Sequence, residues 1–399
     1  MKDHPVRLVV TDDLQRSRLT VFFRLLLAIP HFIWLALWGV VAFVVAFINW
    51  WATLFRGTSP RGLHDFLAGY LRYATQVEAY FWLVANPYPS FFLGTASAYP
   101  VDVQIAPPER QNRLVTGFRV ILFIPAALLS SVFSGGGYGG RGYGFNSGIV
   151  TTAGFLTWFS ALARCRAPRG LRDLSAWGLA YSAQVLAYLF LLTDRYPYSG
   201  FDLHVTPVEG DLHPARLVVG DDLRRSRLTV FFRLLLALPH FVWLALWSVV
   251  AYITGFLNWL VTLARGRSPR AFQRFLSAYI RYQAHVNAFF FLAANPFPGF
   301  VGRAGSYPVD VEVKLADRQN RWVTGFRIFL AVPAFLLSSA LGGLAVLAGF
   351  LGWFASLVRG RMPEGLRNCA AYSIRYSAGV LTYFLVLNDR YPYSGPTTD

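Results

Sequence analysis

Residues 16–56 read RSRLTVFFRLLLAIPHFIWLALWGVVAFVVAFINWWATLFR, and this stretch decides the fold class. The 37 residues from Leu19 to Phe55 are apolar, with Arg24, His31 and Asn49 as the strongly polar exceptions. As one helix they would measure ~55 Å, whereas the hydrocarbon core of a bilayer is ~30 Å thick. The stretch therefore predicts membrane segments.

The composition of the whole chain agrees with this prediction. Of its 399 residues, 55% are hydrophobic and 14% are charged, against about 25% charged residues in soluble domains. The net charge is +17, and all of the 37 basic residues except Lys2 and Lys314 are arginines. Nucleic-acid binders do not carry apolar runs of this length, and disordered chains are not this apolar. Two cysteines make neither a disulfide framework nor a four-cysteine zinc site. The sequence predicts an integral membrane protein.

A fourfold internal repeat organises the chain. The spacing R-x4-F-R-x5-P begins at Arg18, Arg113, Arg227 and Arg321. Each copy later has a basic loop with a proline and closes on an aromatic-proline pair. We predict four membrane repeat units, of which one and three match closely, as do two and four. Their ranges are 1–98, 99–204, 205–306 and 307–399.

The apolar run of each unit is predicted to be a hairpin of two membrane helices, because one straight helix is too long. In unit one the predicted break is Gly39. In unit two a glycine-rich insert, residues 134–148, splits the run. Such an insert would leave its backbone unsatisfied in lipid, so it predicts a water-facing turn between two crossings.

Arginines flank both ends of each predicted hairpin, as Arg18 and Arg56 do in unit one. The positive-inside tendency then predicts that both ends face the cytoplasm, as do both chain termini. Apart from Arg141 in unit two, the predicted turns carry no charge.

A third segment follows each hairpin, and in unit one this helix C runs from about Leu63 to Ala85. Asp65, Gly69, Arg72 and Gln76 form one polar stripe at helical spacing. Helix C could lie in the cytoplasmic interface or span the bilayer, which leaves eight or twelve membrane segments open.

Four alternating stretches predict small cytoplasmic strands that pair across units into one sheet; they are Val6–Val10, Val101–Ile105, Ala215–Val219 and Val309–Leu315.

Two sets of arginines are candidate contacts with lipid or another anion, because a guanidinium group matches phosphate bidentately. Their alternative is a role as topology anchors. One set lies in the apolar runs and the other in helix C: Arg24, Arg119, Arg233 and Arg327; Arg72, Arg281 and Arg375. Helix kinks are predicted at Pro30, Pro125, Pro239 and Pro333.

Other polar residues of the chain are predicted to have local structural roles. His31 and His240 are expected to be packed and hydrogen-bonded, since no titratable partner lies at their depth. Asp12-Asp13 and Asp221-Asp222 precede arginines, so local ion pairing is expected rather than a metal site. We find no catalytic triad, paired-histidine metal motif or CxxC motif, which argues against an enzyme and predicts no metal or cofactor.

The motif RLTVFFRLLLAIPHF, with the later basic loop and closing Tyr-Pro-Tyr, resembles a bacterial membrane family known as domain of unknown function 4389, whose members carry the unit singly or in tandem. Arg24, Pro30, Pro60, Arg61 and Tyr88 fit its pattern, and the resemblance implies membrane localisation but no activity. Unit two departs from it by the insert and by Ala180 in place of the helix C arginine.

We therefore predict a mainly helical, multi-pass protein of the bacterial cytoplasmic membrane, with a minor β component. The expected function is a non-enzymatic module that contacts or organises anionic lipid or a membrane partner, without nucleic acid. The alternative is a transporter or channel whose path between the halves is lined by Arg72, Gln76, Arg281 and Arg375. The sequence leaves a protein partner and the oligomeric state open.

Overall fold

A computed structural model describes residues 4–91, 99–134, 148–200, 215–316 and 318–396. The chain forms two compact halves, residues 1–207 and 208–399, and each half contains two of the predicted repeat units. The described residues are mainly helical, as predicted.

The two halves have the same order of elements, except that the N-terminal half has two helices where the C-terminal half has one long helix near its end. The N-terminal half contains β1 (Val6–Val10), α1 (Arg18–Phe22), α2 (Arg24–Arg56), α3 (Arg61–Phe81), β2 (Val101–Ile105), α4 (Arg113–Gly117), α5 (Arg119–Ser134), α6 (Ile149–Arg164) and α7 (Arg169–Leu189). The C-terminal half contains β3 (Ala215–Val219), α8 (Arg227–Phe231), α9 (Arg233–Arg265), α10 (Arg270–Phe290), β4 (Val309–Val313), α11 (Arg321–Gly325), α12 (Arg327–Arg359) and α13 (Glu364–Phe384).

The predicted hairpin of unit one is wrong, because α2 is one continuous helix of 33 residues. A single glycine costs a helix only ~1 kcal/mol relative to alanine, too little to break it. Gly39 instead allows close packing, since a Cβ atom there would lie 3.2 Å from the Tyr70 hydroxyl oxygen of α3. The helix ends at Gly57, whose φ of 76° provides a left-handed cap. Units three and four have continuous helices of the same length, α9 and α12.

In unit two, α5 and α6 are the two parts of one interrupted helix. Each has 16 residues, so together they fall one residue short of the 33 in α12. The Thr151 hydroxyl donates to the Ser134 carbonyl oxygen at 3.0 Å, as a threonine does to the residue four places earlier in an unbroken helix. The two segments therefore continue one another and do not form the predicted helical hairpin. Residues 135–147 of the predicted insert lie outside the described residues.

The four predicted strands are present and pair across repeat units. In the N-terminal half β1 and β2 are antiparallel, with Val6 opposite Ile105 and Val10 opposite Val101. In the C-terminal half β3 and β4 pair in the same way. The strands form two separate two-stranded sheets and not the single sheet predicted.

Each half is built in three layers. In the N-terminal half, α2 packs on α3, and α5 and α6 pack on α7, so the long helices form the first layer. The middle layer is α3 and α7, which pack on each other and carry β2 and β1. Buried Val6, Leu8 and Val103 of the sheet meet Leu71 of α3 in one apolar core. Helix C thus lies between a long helix and a sheet.

Candidate membrane-contact site

The long helices expose an apolar surface and bury their polar side chains. The buried residues of α2 include Arg24, His31, Asn49 and Thr53. Its exposed large side chains are Leu, Ile, Val, Phe and Trp along its whole length, for example Leu26, Val40 and Phe55 at 62%, 67% and 70% exposure. This distribution is the reverse of that in a water-soluble amphipathic helix. Three helices, α2, α9 and α12, are long and apolar enough to cross a membrane.

Exposed arginines lie at both ends of this apolar surface. At one end, Arg113 donates to the carbonyl oxygen of Phe55 at 3.0 Å, which places it beside Arg56. At the other end, Arg18 donates to the carbonyl oxygen of Ala163 at 3.2 Å, beside Arg164. The two long helices of the half therefore run antiparallel. The equivalent exposed arginines of the C-terminal half are Arg227, Arg265, Arg321 and Arg359.

The four arginines predicted inside the apolar runs are buried at the C-terminal ends of the middle-layer helices. Arg24 donates to the carbonyl oxygens of Tyr80 and Ala85, and its guanidinium carbon lies 4.3 Å from the centroid of the Tyr80 ring. Each member of the set is 1–3% exposed. Their contacts in the other units are with Tyr188 and Thr193, Phe289 and Ala294, and Tyr383 and Asn388. These bonds occupy the guanidinium groups, so the geometry does not favour a contact with lipid phosphate, which stays a prediction.

The residues that follow the middle-layer helices, to which these arginines donate, have an unusual backbone conformation. After α3, Leu83 adopts a φ of 62°, a conformation that glycine favours. The amide of Val84 donates to the Ala79 carbonyl oxygen at 2.9 Å, which completes a Schellman cap. Arg16 donates to the carbonyl oxygens of Leu83 and Val84. Leu191, Leu292 and Val386 have the same conformation in the other units. No glycine marked these ends in the sequence.

The helix C arginines face the sheet or the closing segment of their units. Arg72 donates through Nε to the Val103 carbonyl oxygen of β2 at 3.1 Å and lies 3.3 Å from a carboxylate oxygen of Asp102. Arg281 donates to the Val311 carbonyl oxygen of β4. Arg375 donates to the Gly395 carbonyl oxygen at 2.7 Å. The polar stripe therefore joins the middle layer to the sheet, and its predicted contact with lipid or an anion is untested.

The predicted prolines all lie inside long helices, at Pro30, Pro125, Pro239 and Pro333. Proline has no N–H and disturbs the hydrogen bonds of the preceding turn. The Tyr88 hydroxyl donates to the Leu27 carbonyl oxygen in that turn at 3.3 Å. The aromatic residue that closes unit one thus contacts the helix at its proline turn.

The predicted packing of the histidines is confirmed, and so is the predicted ion pairing for Asp12 and Asp221. Nδ1 of His31 lies 2.7 Å from the Tyr73 hydroxyl oxygen, and the His31 ring stacks on Phe91. His240 and Tyr282 repeat the pair at 2.8 Å. Asp12 and Arg16 form a buried ion pair at 2.7 Å, as Asp221 and Arg225 do at 2.5 Å.

Glu78 is a half-buried carboxylate on α3. Burial raises the pKa of Glu78 to about 7. Tyr70, two turns earlier on the same helix, also has a raised pKa, mainly from its own burial and partly from the charge of Glu78. Unit three has Asn287 at the equivalent position, so this carboxylate is not a shared feature of the repeats.

Comparison with known proteins identifies a family to which the chain is similar. The family model "Domain of unknown function (DUF4389)" matches the chain four times, at residues 18–93, 143–199, 227–301 and 321–394. No curated protein and no solved structure matches. The matches cover more than half of the chain and recur in each of the four predicted units. The protein therefore belongs to the family of this domain of unknown function and carries it in tandem copies.

Proposed function

We propose that this protein is a non-enzymatic module of the bacterial cytoplasmic membrane that contacts and organises anionic lipids. The supporting observation is the apolar surface of the long helices, bounded by exposed arginines such as Arg18 and Arg56. Apolar side chains fit the acyl chains of a membrane, and guanidinium groups at the rim fit lipid phosphates. In this proposal the sheets and both termini are on the cytoplasmic side.

The lipid-binding residues in this proposal are the exposed arginines at the helix ends and not the buried Arg24 set. The first group keeps exposed surface, whereas Arg24 is 3% exposed and bonded to carbonyl oxygens. The transporter alternative gains no support, because Arg72 and Arg281 bond to strand carbonyl oxygens.

The test is the selectivity of the purified protein for phosphatidylglycerol over phosphatidylcholine, measured from tryptophan quenching by brominated forms of each lipid. We expect the double variant Arg18→Gln, Arg56→Gln to lose affinity for phosphatidylglycerol, roughly fivefold for each arginine at about 1 kcal/mol each. The control is the variant Arg274→Gln, Arg303→Gln, which removes the same charge from exposed residues that line a cavity beside Val313 of β4. Equal losses in both variants, or no selectivity in the parent protein, would reject the proposal.

A further inference from the structure

We propose that each half embeds its long helices in a single leaflet, with their axes parallel to the membrane plane and the sheet on the water side. The long helices would then not cross the bilayer. This inference rests on the proposed function, because it requires a bilayer whose headgroups meet the arginines. Four observations within the halves support it.

The first observation is the length of the long helices. The 31 residues from Leu25 to Phe55 contain no charged side chain. As a helix they measure ~46 Å, against ~30 Å of hydrocarbon. Crossing would require a tilt of about 50°, outside the usual range of roughly 0–40°. A helix parallel to the membrane has no such mismatch.

The second observation is the charge at the helix ends. Arg56 and Arg113 mark one end of the apolar surface, and Arg18 and Arg164 mark the other. In a crossing orientation these pairs would face opposite sides of the membrane, contrary to the positive-inside tendency. In a parallel orientation all four reach headgroups of the same leaflet.

The third observation is the position of the insert in unit two. Residues 135–148 enter between α5 and α6, at the midpoint of the equivalent uninterrupted helix α12. Their sequence is glycine-rich and includes Arg141 and Asn146. If α5 and α6 crossed the bilayer, these residues would leave the helix at the hydrocarbon centre, where backbone groups find no partners. If the helix lies parallel to the membrane, the distance from the start of the insert to the headgroups is less than the thickness of one leaflet.

The fourth observation is the position of the sheet along the length of the long helix, close to the middle of α2. On α3, Tyr73 bonds to His31, and Tyr70 contacts Gly39 near the middle of α2. Arg72 lies between these tyrosines and pairs with Asp102 of β2, and both charged side chains are 20–27% exposed. Crossing would place this partly exposed ion pair near the bilayer centre, which is costly. In the parallel orientation the middle helices separate the pair from the lipid.

The thickness of the long-helix layer also fits a single leaflet. One layer of helices is about 10–12 Å thick, and half of the hydrocarbon core is about 15 Å. Because the buried residues of α2 form one narrow stripe, most of its circumference is apolar and exposed. If the helix is immersed in one leaflet, acyl chains cover this apolar surface.

The experiment measures immersion depth at three points along α2. Leu26, Val40 and Phe55 are exposed and lie within about 60° of one another around the helix, and successive positions are roughly 21–23 Å apart along its axis. Each is replaced by cysteine in a background of Cys165→Gly and Cys369→Ala, then spin-labelled in full-length protein reconstituted into bilayers. Position 165 takes glycine because Gly57, Gly266 and Gly360 occupy the same left-handed position in the other units. Oxygen and a water-soluble nickel complex as relaxation agents report the depth.

We expect the three labels to lie at the same depth within about 4 Å, all within the hydrocarbon of one leaflet. A profile in which position 40 is deepest, with 26 and 55 near opposite surfaces, would overturn the inference and show crossing. Exclusion of both agents would also overturn it, because a second protein copy would then cover the face. Polarised infrared dichroism of oriented bilayers gives a second measurement, with mean helix axes near the membrane plane expected.

The outcome is separable from that of the proposed function. Depth is measured in phosphatidylcholine bilayers and again with added phosphatidylglycerol. Equal depths without phosphatidylglycerol selectivity would keep the parallel orientation and reject anionic-lipid binding. A crossing profile with retained selectivity would do the opposite.

Discussion

The guanidinium group of Arg24 both donates to the backbone carbonyl oxygen of Tyr80 and lies over the ring of the same residue, 4.3 Å from its centroid. One side chain thus provides a hydrogen-bond donor for the carbonyl oxygen at the C-terminal end of α3 and packs on the last turn of that helix. The relationship recurs with Arg119 and Tyr188, with Arg233 and Phe289, and with Arg327 and Tyr383.

Replacement of Arg24 by glutamine should destabilise the protein, because the carbonyl oxygens of Tyr80 and Ala85 would be left buried without their donor. We expect the free energy of unfolding to fall by about 2–4 kcal/mol, measured by denaturant titration in detergent micelles. The control is Arg56→Gln, a change at an exposed helix end, which should cost less than about 0.5 kcal/mol. Equal effects of the two changes would contradict the capping role.

The buried pair of His31 and Tyr73 should be energetically coupled. In a double-mutant cycle of His31→Ala and Tyr73→Phe, we expect a coupling energy of roughly 1 kcal/mol, because each single change leaves the other polar group without its partner. The same cycle on His240 and Tyr282 should give a similar value. Since the two pairs lie in separate halves, changes in both should be additive, and strong non-additivity would contradict their independence.

Glu78 should make stability depend on pH in a defined window. Its folded-state pKa of about 7 lies above the ordinary value of 4.5. The folded state therefore holds a proton that the unfolded state releases, so the stabilising effect of the neutral acid is lost as pH rises from 4.5 to 7. We expect Glu78→Gln to remove this loss, so that the variant gains stability relative to the parent with rising pH, up to about pH 7. A stability difference that does not change between pH 4.5 and 8 would refute the raised pKa.

The interrupted helix of unit two should remain stable when the insert is removed and the helix is made continuous. Replacement of residues 135–148 by one glycine reproduces the register of α12, in which one residue separates the positions equivalent to Ser134 and Ile149. We expect a continuous helix and an unchanged or higher thermal midpoint, measured by circular dichroism. A control that deletes the same residues without adding the glycine shifts the register by one residue, about 100°, and should be destabilised. Equal midpoints for the two variants would refute the shared register.

Local sequence patterns predicted the elements but not the continuity of the long helices. Alternation at Val6–Val10 and Val101–Ile105 located both strands, and the apolar helical period located α3. The break at Gly39 was predicted from bilayer thickness, which assumes that an apolar helix crosses the membrane. The packing of Gly39 against Tyr70 depends on a residue 31 positions away and is not visible in the local pattern.

Sequence patterns identified the arginine positions but not their partners. The recurrence of Arg24 in four units was evident, yet its bonds to Tyr80 and Ala85 depend on the left-handed backbone of Leu83 between those residues. Leucine is a poor predictor of that conformation, because a side chain makes it unfavourable. From the sequence, the exposed arginines at the helix ends are interpreted only as topology signals. Their grouping at the two ends of the apolar surface depends on the antiparallel arrangement of the long helices, which the sequence does not show.

The register that continues from Ser134 to Ile149 across the insert makes this position useful for protein engineering. The hydrogen bond between Thr151 and Ser134 joins the two helix segments at a point where fourteen residues, 135–148, stand in place of the single residue of α12. A fluorescent domain or an epitope could replace those residues without disturbing the flanking helices. Such a reporter would follow the layer that we propose to lie in the membrane, while both chain ends keep their native sequence.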